Sequence, residues 1–128
     1  MRRKLEQKGY DGTVVAALVD ALKAENLLDD RRYAENFVSF HAGRGQGPMR
    51  VRAELRGLEL DAALIEECLA AYSEWPLQLD KARRKKFGPG LPNNYAAKQR
   101  QARFLGYRGF TSAQIRSALG FDIDIDAD

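Results

Sequence analysis

"FLGYRGFTSAQIRSALG", residues 104–120, reads as the end of one helix, a tight corner and a second helix. Gly109 stands where the first helix ends. Many helices end on a left-handed residue there, a conformation that strains any residue carrying a Cβ. Thr111 and Gln114 make a Thr-x-x-Gln capping box, so the second helix starts at about residue 112 and runs to 119. The same corner occurs as "LEQKGY", residues 5–10, and again as "LRGLEL", residues 55–60. The three copies are spaced by 50 residues.

The register extends beyond the corners. Leu5, Leu55 and Leu105 align, as do Tyr10, Leu60 and Phe110. Val15, Ile65 and Ile115 follow, then Leu18, Cys68 and Ala118, then Val19, Leu69 and Leu119. All are apolar. Leu27, Asp30, Phe37 and Arg50 match Leu77, Asp80, Phe87 and Arg100. A fixed period of this length is the mark of a repeat architecture. The middle copy departs, with Glu59 in the glycine's place and Gly57 two residues earlier, which predicts a different corner geometry there.

Outward from the corners the reading is all-α. Helices are expected over residues 2–8 and 12–24, the latter with Val15, Leu18, Val19 and Leu22 on one stripe. A third, over 30–42, takes Asp29 or Asp30 as N-cap and carries Tyr33, Ala34, Phe37, Val38 and His41 on one face. "GRGQGP", residues 43–48, is a loop, with Pro48 suited to a first helical turn. Helices follow at 49–57 and at 61–73, where Asp61 is a candidate N-cap. The next opens at Pro76 and runs to about Phe87, "GPGLPNN" breaks the chain at 88–94, and the last two cover 94–106 and 112–119. No stretch alternates convincingly with a period of two, so no sheet is expected.

Eight helices in units of three leave one short, so the first repeat lacks its opening helix. An abrupt start would expose the apolar face of residues 2–24, which favours a further segment ahead of Met1. The resulting division is a partial first repeat at 1–27, full repeats at 28–76 and 77–121, and an acidic tail at 122–128.

Charge is distributed unevenly. Residues 1–80 carry 11 basic and 14 acidic side chains, residues 81–121 carry 10 basic and no acidic ones, and "FDIDIDAD" closes the chain with four aspartates. The whole-chain charge of +3 hides this field, which suits a polyanionic partner. Lys81, Arg83, Arg84, Lys85 and Lys86 fall within about one and a half helical turns. A merely solvated helix mixes signs, and from residue 81 onward this stretch carries no acid. Arg50, Arg52, Lys98, Arg100, Arg103 and Arg108 extend the candidate patch. If about six of these cations meet a single strand, the log–log salt slope should be roughly −4. Among the interleaved aromatics, Phe104 and Phe110 are expected in the core; Tyr95 and Tyr107 are the candidates for stacking on bases. The tail is expected to be disordered, with competition for the basic patch as the alternative.

Several classes are disfavoured. No apolar run approaches the ~18 residues of a membrane span, and no apolar signal core follows the basic start. One cysteine allows no internal disulfide, and Cys68 falls at a core position as an inert thiol. His41 is the single histidine, so no metal cluster is expected around it. No nucleophile–base pair or phosphate-binding loop appears, which predicts a non-enzyme without cofactors, in a reducing cytoplasmic setting.

The motifs together resemble the RecX family of bacterial RecA regulators. Asp30, Arg32, Tyr33, Ala34, Phe37 and Val38 carry one family pattern. Gly47, Pro48, Val51, Glu54 and Leu55 carry a second, and Phe104, Leu105, Arg108, Gly109 and Phe110 a third. Leu58-Glu59 departs, since the family usually has Lys-Gly there. The resemblance implies tandem three-helix repeats in an elongated, curved array. It implies a monomer that binds in the groove of the RecA–single-stranded-DNA filament, with inhibition of ATPase, strand exchange or filament growth, in DNA repair, recombination and the SOS response. Three other readings stand beside it. One is an independent nucleic-acid-binding protein using the basic third repeat, on single-stranded or duplex DNA. The second is a scaffold for an acidic protein. The third is a helix-turn-helix reader using Gln114, Arg116 and Ser117.

Overall fold

The structure is a computed structural model that describes residues 12–120, with side chains from Val14 onward. The expected helix at 2–8, the Gly9 corner and the acidic tail lie outside the described residues. Six α-helices and no strand occur among those described: α1 (Gly12–Gly43), α2 (Pro48–Gly57), α3 (Ala62–Ala71), α4 (Trp75–Phe87), α5 (Tyr95–Tyr107) and α6 (Ser112–Leu119). The chain divides into two compact units, Met1–Tyr33 and Ala34–Asp128.

The first correction concerns α1. Separate helices were expected at 12–24 and 30–42, with Asp29 or Asp30 as a cap. One helix of 32 residues runs through instead. The intervening residues, Glu25-Asn26-Leu27-Leu28, contain no glycine or proline to stop it, and an aspartate caps only where the helix has already been broken. In the first unit Val15 is fully buried and Val19 half-buried, but Leu18 and Leu22 are exposed. The expected four-residue stripe is therefore only half covered.

In the second unit the sequence period becomes the core. Leu55, Leu105, Ile65 and Ile115 have no accessible surface, and Leu69, Leu119, Cys68 and Phe110 are buried with them. Ala34, Val38 and Ala42 from the end of α1 join the same cluster, together with Val51, Leu64, Trp75, Leu79 and Ala102. Helices α4, α5 and α6 pack against one another pairwise, and α2 packs on α3. The Trp75 indole N–H donates to the Leu69 carbonyl at 3.2 Å, which satisfies an orphan carbonyl at the end of α3.

The caps follow the sequence. Pro48 occupies the first turn of α2, Asp61 accepts from the Leu64 N–H, Asn94 accepts from the Ala97 N–H, and Thr111 and Gln114 form both bonds of the capping box. The middle corner, expected to differ in geometry, shares one feature with the last and departs in another. Glu59 itself takes a left-handed φ of 61°, as Gly109 does at 101°. Both follow a C-cap residue with ψ near zero, Leu58 and Arg108. The left-handed residue thus recurs without the glycine, on a strained exposed glutamate, but the hydrogen bonds differ: the Leu58 N–H donates to the Leu55 carbonyl, whereas the Arg108 and Phe110 N–H groups donate to the Phe104 and Leu105 carbonyls.

A candidate nucleic-acid interface

The α2 and α6 corners are joined through backbone. The Gly47 N–H donates to the Arg108 carbonyl at 2.7 Å, and the Met49 N–H donates to the Gly109 carbonyl at 2.9 Å. The Met49 N–H, a free donor in the first turn of α2, and that of the N-cap Gly47 are thereby satisfied by the corner of the following repeat. The approach is too close for side chains. A Cβ on Gly47 would lie 2.3 Å from the Gly109 carbonyl carbon, and one on Gly109 would lie 2.5 Å from the Arg50 Cβ. Arg108 completes the joint, donating from Nε to the Gly45 carbonyl at 3.0 Å and from Nη2 to the Arg44 carbonyl at 2.7 Å.

This joint shapes a cleft of about 510 Å³ lined by Arg44, Lys81, Lys85, Lys86 and Arg108, with Phe104 and Gln78 beside them. Gly43, Gly45 and Ala82 leave its walls low. Five cations and no acid face it, so it favours a ligand with several negative charges. Lys86 Nζ lies 5.9 Å from the Phe104 ring centroid, a cation–π distance. Arg44 was not among the candidates from sequence. It sits alone in a loop far from the basic run, and only folding brings it to the cleft.

The predicted cations divide by role. Lys81, Lys85 and Lys86 are exposed and share the cleft. Arg84 is exposed and bound at 2.7 Å to Asp80. Arg100 and Arg103 are exposed on α5, and Lys98 is half-buried there. Arg83 requires a correction. Its side chain is 2% exposed, and it donates to the carbonyls of Gly90 and Pro89 and to Asp80. It holds the loop after α4 and is not presented to a ligand. Arg108 is likewise spent largely on the loop carbonyls, although its charge still faces the cleft. Arg52 makes a two-pronged pair with Glu66 at 2.8 and 3.0 Å, linking α2 to α3. That hydrogen bond holds the Glu66 carboxyl below the usual carboxylate pKa. Arg50 lies 3.7 Å from Glu54, one turn away.

Family comparisons fall on these elements. The family model of the RecX second three-helix domain matches residues 29–69, and that of the third three-helix domain matches residues 78–119. The regulatory protein RecX of Halorhodospira halophila is 40% identical over 119 residues, covering 92% of this chain and 74% of that protein. That of Pseudomonas fluorescens strain SBW25 is 41% identical over 130 residues, covering 97% and 81%. The chain belongs to the RecX family. Its second RecX domain starts at Asp29 without a helix break, inside α1. Two of the motifs that carry the RecX resemblance, around Gly47-Pro48 and Arg108-Gly109, are the two sides of the backbone joint. Those residues build the RecX fold, and the cleft cations stand on it.

Among the described residues no group of three or more His, Cys, Asp or Glu is placed to hold a metal ion, and no helix is long and apolar enough to cross a membrane. Cys68 is buried among apolar side chains, where a thiol is a packing group.

Proposed function

We propose that this RecX-family chain is a non-enzymatic modulator of the RecA recombinase, which binds the RecA–single-stranded-DNA filament and restrains its ATPase, strand exchange or growth. The observation that carries the reading is the cleft of five cations without an acid, in a chain whose relatives are named regulatory proteins. In this account Lys81, Lys85, Lys86 and Arg44 meet phosphates. Arg84, Arg100 and Arg103 extend that contact, and the remaining faces bridge neighbouring recombinase subunits. Bridging opposes the subunit movements coupled to nucleotide hydrolysis. The protein acts as a monomer, in the cytoplasm, without a cofactor.

The charge-reversed variant K81E/K85E/K86E tests this. All three side chains are exposed, so the fold and the helical signal should persist while inhibition of the ATPase falls at least tenfold in effective concentration. A folded variant that inhibits as well as the parent sinks the assignment of the cleft. The second reading, an independent nucleic-acid-binding protein, is favoured by the unbroken basic stretch of residues 81–120. It predicts equal affinity for bare and coated strands.

A further inference from the structure

We infer that Tyr95 and Tyr107, with Arg100 and Arg103 between them, form a stacking platform for unpaired bases of single-stranded DNA along a row that winds over the exposed side of α5. The inference rests on the nucleic-acid reading of the third repeat and deepens it, by naming what touches the bases rather than the phosphates.

Positions 95, 99, 103 and 107 follow at intervals of four, a row that advances about 40° around the helix at each step, so Tyr107 lies about 120° around α5 from Tyr95, with Gln99 and Arg103 on the row between them and Arg100 beside Arg103. An aromatic at helical spacing ordinarily enters a core. Phe104, about 60° around α5 from Tyr107, is half-buried against the core and lies edge-on to Phe87 at 5.4 Å between centroids. Tyr95 and Tyr107 do the opposite, at 71% and 78% exposure. They are the two most exposed large apolar side chains among the described residues, and both sit on a helix that carries cations and no acid. Gln99 Nε2 donates to the Tyr95 hydroxyl at 2.7 Å, which restrains that ring before any ligand arrives. The rings are twelve residues apart, about 18 Å along the axis. That leaves room for about five nucleotides at the stacked spacing of 3.4 Å, and fewer in a drawn-out strand. Exposed rings interleaved with cations are how proteins hold single strands without reading sequence.

Binding of a labelled oligo-dT strand is compared with an abasic strand of equal length and charge. The parent, Y95A/Y107A, Y95F/Y107F and K85E/K86E are measured at about 0.05 and 0.15 M salt, which changes the screening of exposed charges. The parent should prefer oligo-dT. Y95A/Y107A should weaken oligo-dT binding by at least roughly five- to one-hundred-fold, the range for one lost base stack, and by more where both rings stack. Abasic binding and the salt slope should not move, and phenylalanine should restore the loss. Equal binding of both strands by the parent, or a preference that survives Y95A/Y107A, overturns the platform. If K85E/K86E still weakens both strands, the interface stands without the platform; if it weakens neither, the nucleic-acid reading beneath it fails as well.

Discussion

Arg83 shows how far a side chain's role depends on where its guanidinium ends. In the chain it is one of five cations in six residues; in the fold it ties the loop after α4 to the helix through the Gly90 and Pro89 carbonyls. A hydrogen bond made by a charged group contributes about 1.5–3 kcal/mol. Arg83→Ala should therefore cost about 2–4 kcal/mol, read by denaturant unfolding, and Arg83→Lys should recover little because an ammonium lacks the fork. Arg84→Ala, one position on, loses an exposed pair and should cost less than about 1 kcal/mol. Equal losses at the two positions would contradict the division of roles. The corners give a second contrast. Gly109→Ala meets both a left-handed φ and the Arg50 backbone, and should cost about 3 kcal/mol or more. Glu59→Gly relieves the same conformation at an open site. It should stabilise by up to about 1 kcal/mol, since the strain relieved exceeds the flexibility gained by the unfolded chain.

Elements were legible wherever a local group decides their ends. Asp61, Pro48, Thr111 and Gln114 act on the backbone within four residues, so their meaning is already present in the chain. The 50-residue period located the core because one buried position recurs per turn of each repeated helix. What failed were questions settled at a distance. Asp29-Asp30 looks like a cap, but nothing before it ends the helix. Glu59 is a departure in residue type and in hydrogen bonding, but sequence does not show that the non-glycine residue still takes the left-handed φ. Part of the site was equally hidden. The run at 81–86 lies on the helix that lines the cleft, yet which of its cations face outward, and that Arg44 joins them there, is not visible in the sequence. Between α2 and α3 the Arg52–Glu66 pair sets a pH dependence. Its carboxyl is held below the usual value of 4.5, so the pair stabilises the folded state above that pH, and the contribution disappears as pH falls through the lowered value. Because both groups are partly exposed, Glu66→Gln should cost no more than about 1 kcal/mol at pH 7, and the gap to the parent should close in acid. A gap that widened in acid would reverse the sign argued here.

At the scale of the molecule scaffold and charge are separate. The buried repeat positions and the glycine joint hold the RecX domains, while the cations of α4 and α5 supply a field across the acid-free stretch of 41 residues from 81 to 121, offset by Asp80 just before it. Electrostatic contact of this kind weakens with salt, whereas subunit bridging by apolar and hydrogen-bonded contacts weakens less. The direct test is a side-by-side measurement of binding to bare single-stranded DNA and to the same strand coated by RecA and ATP, at about 0.15 M salt where exposed charges are screened beyond about 8 Å. RecA ATPase is followed in the same samples. Tighter binding to the coated strand together with slowed hydrolysis is the predicted result. Equal or tighter binding to the bare strand, with hydrolysis untouched, would contradict the account.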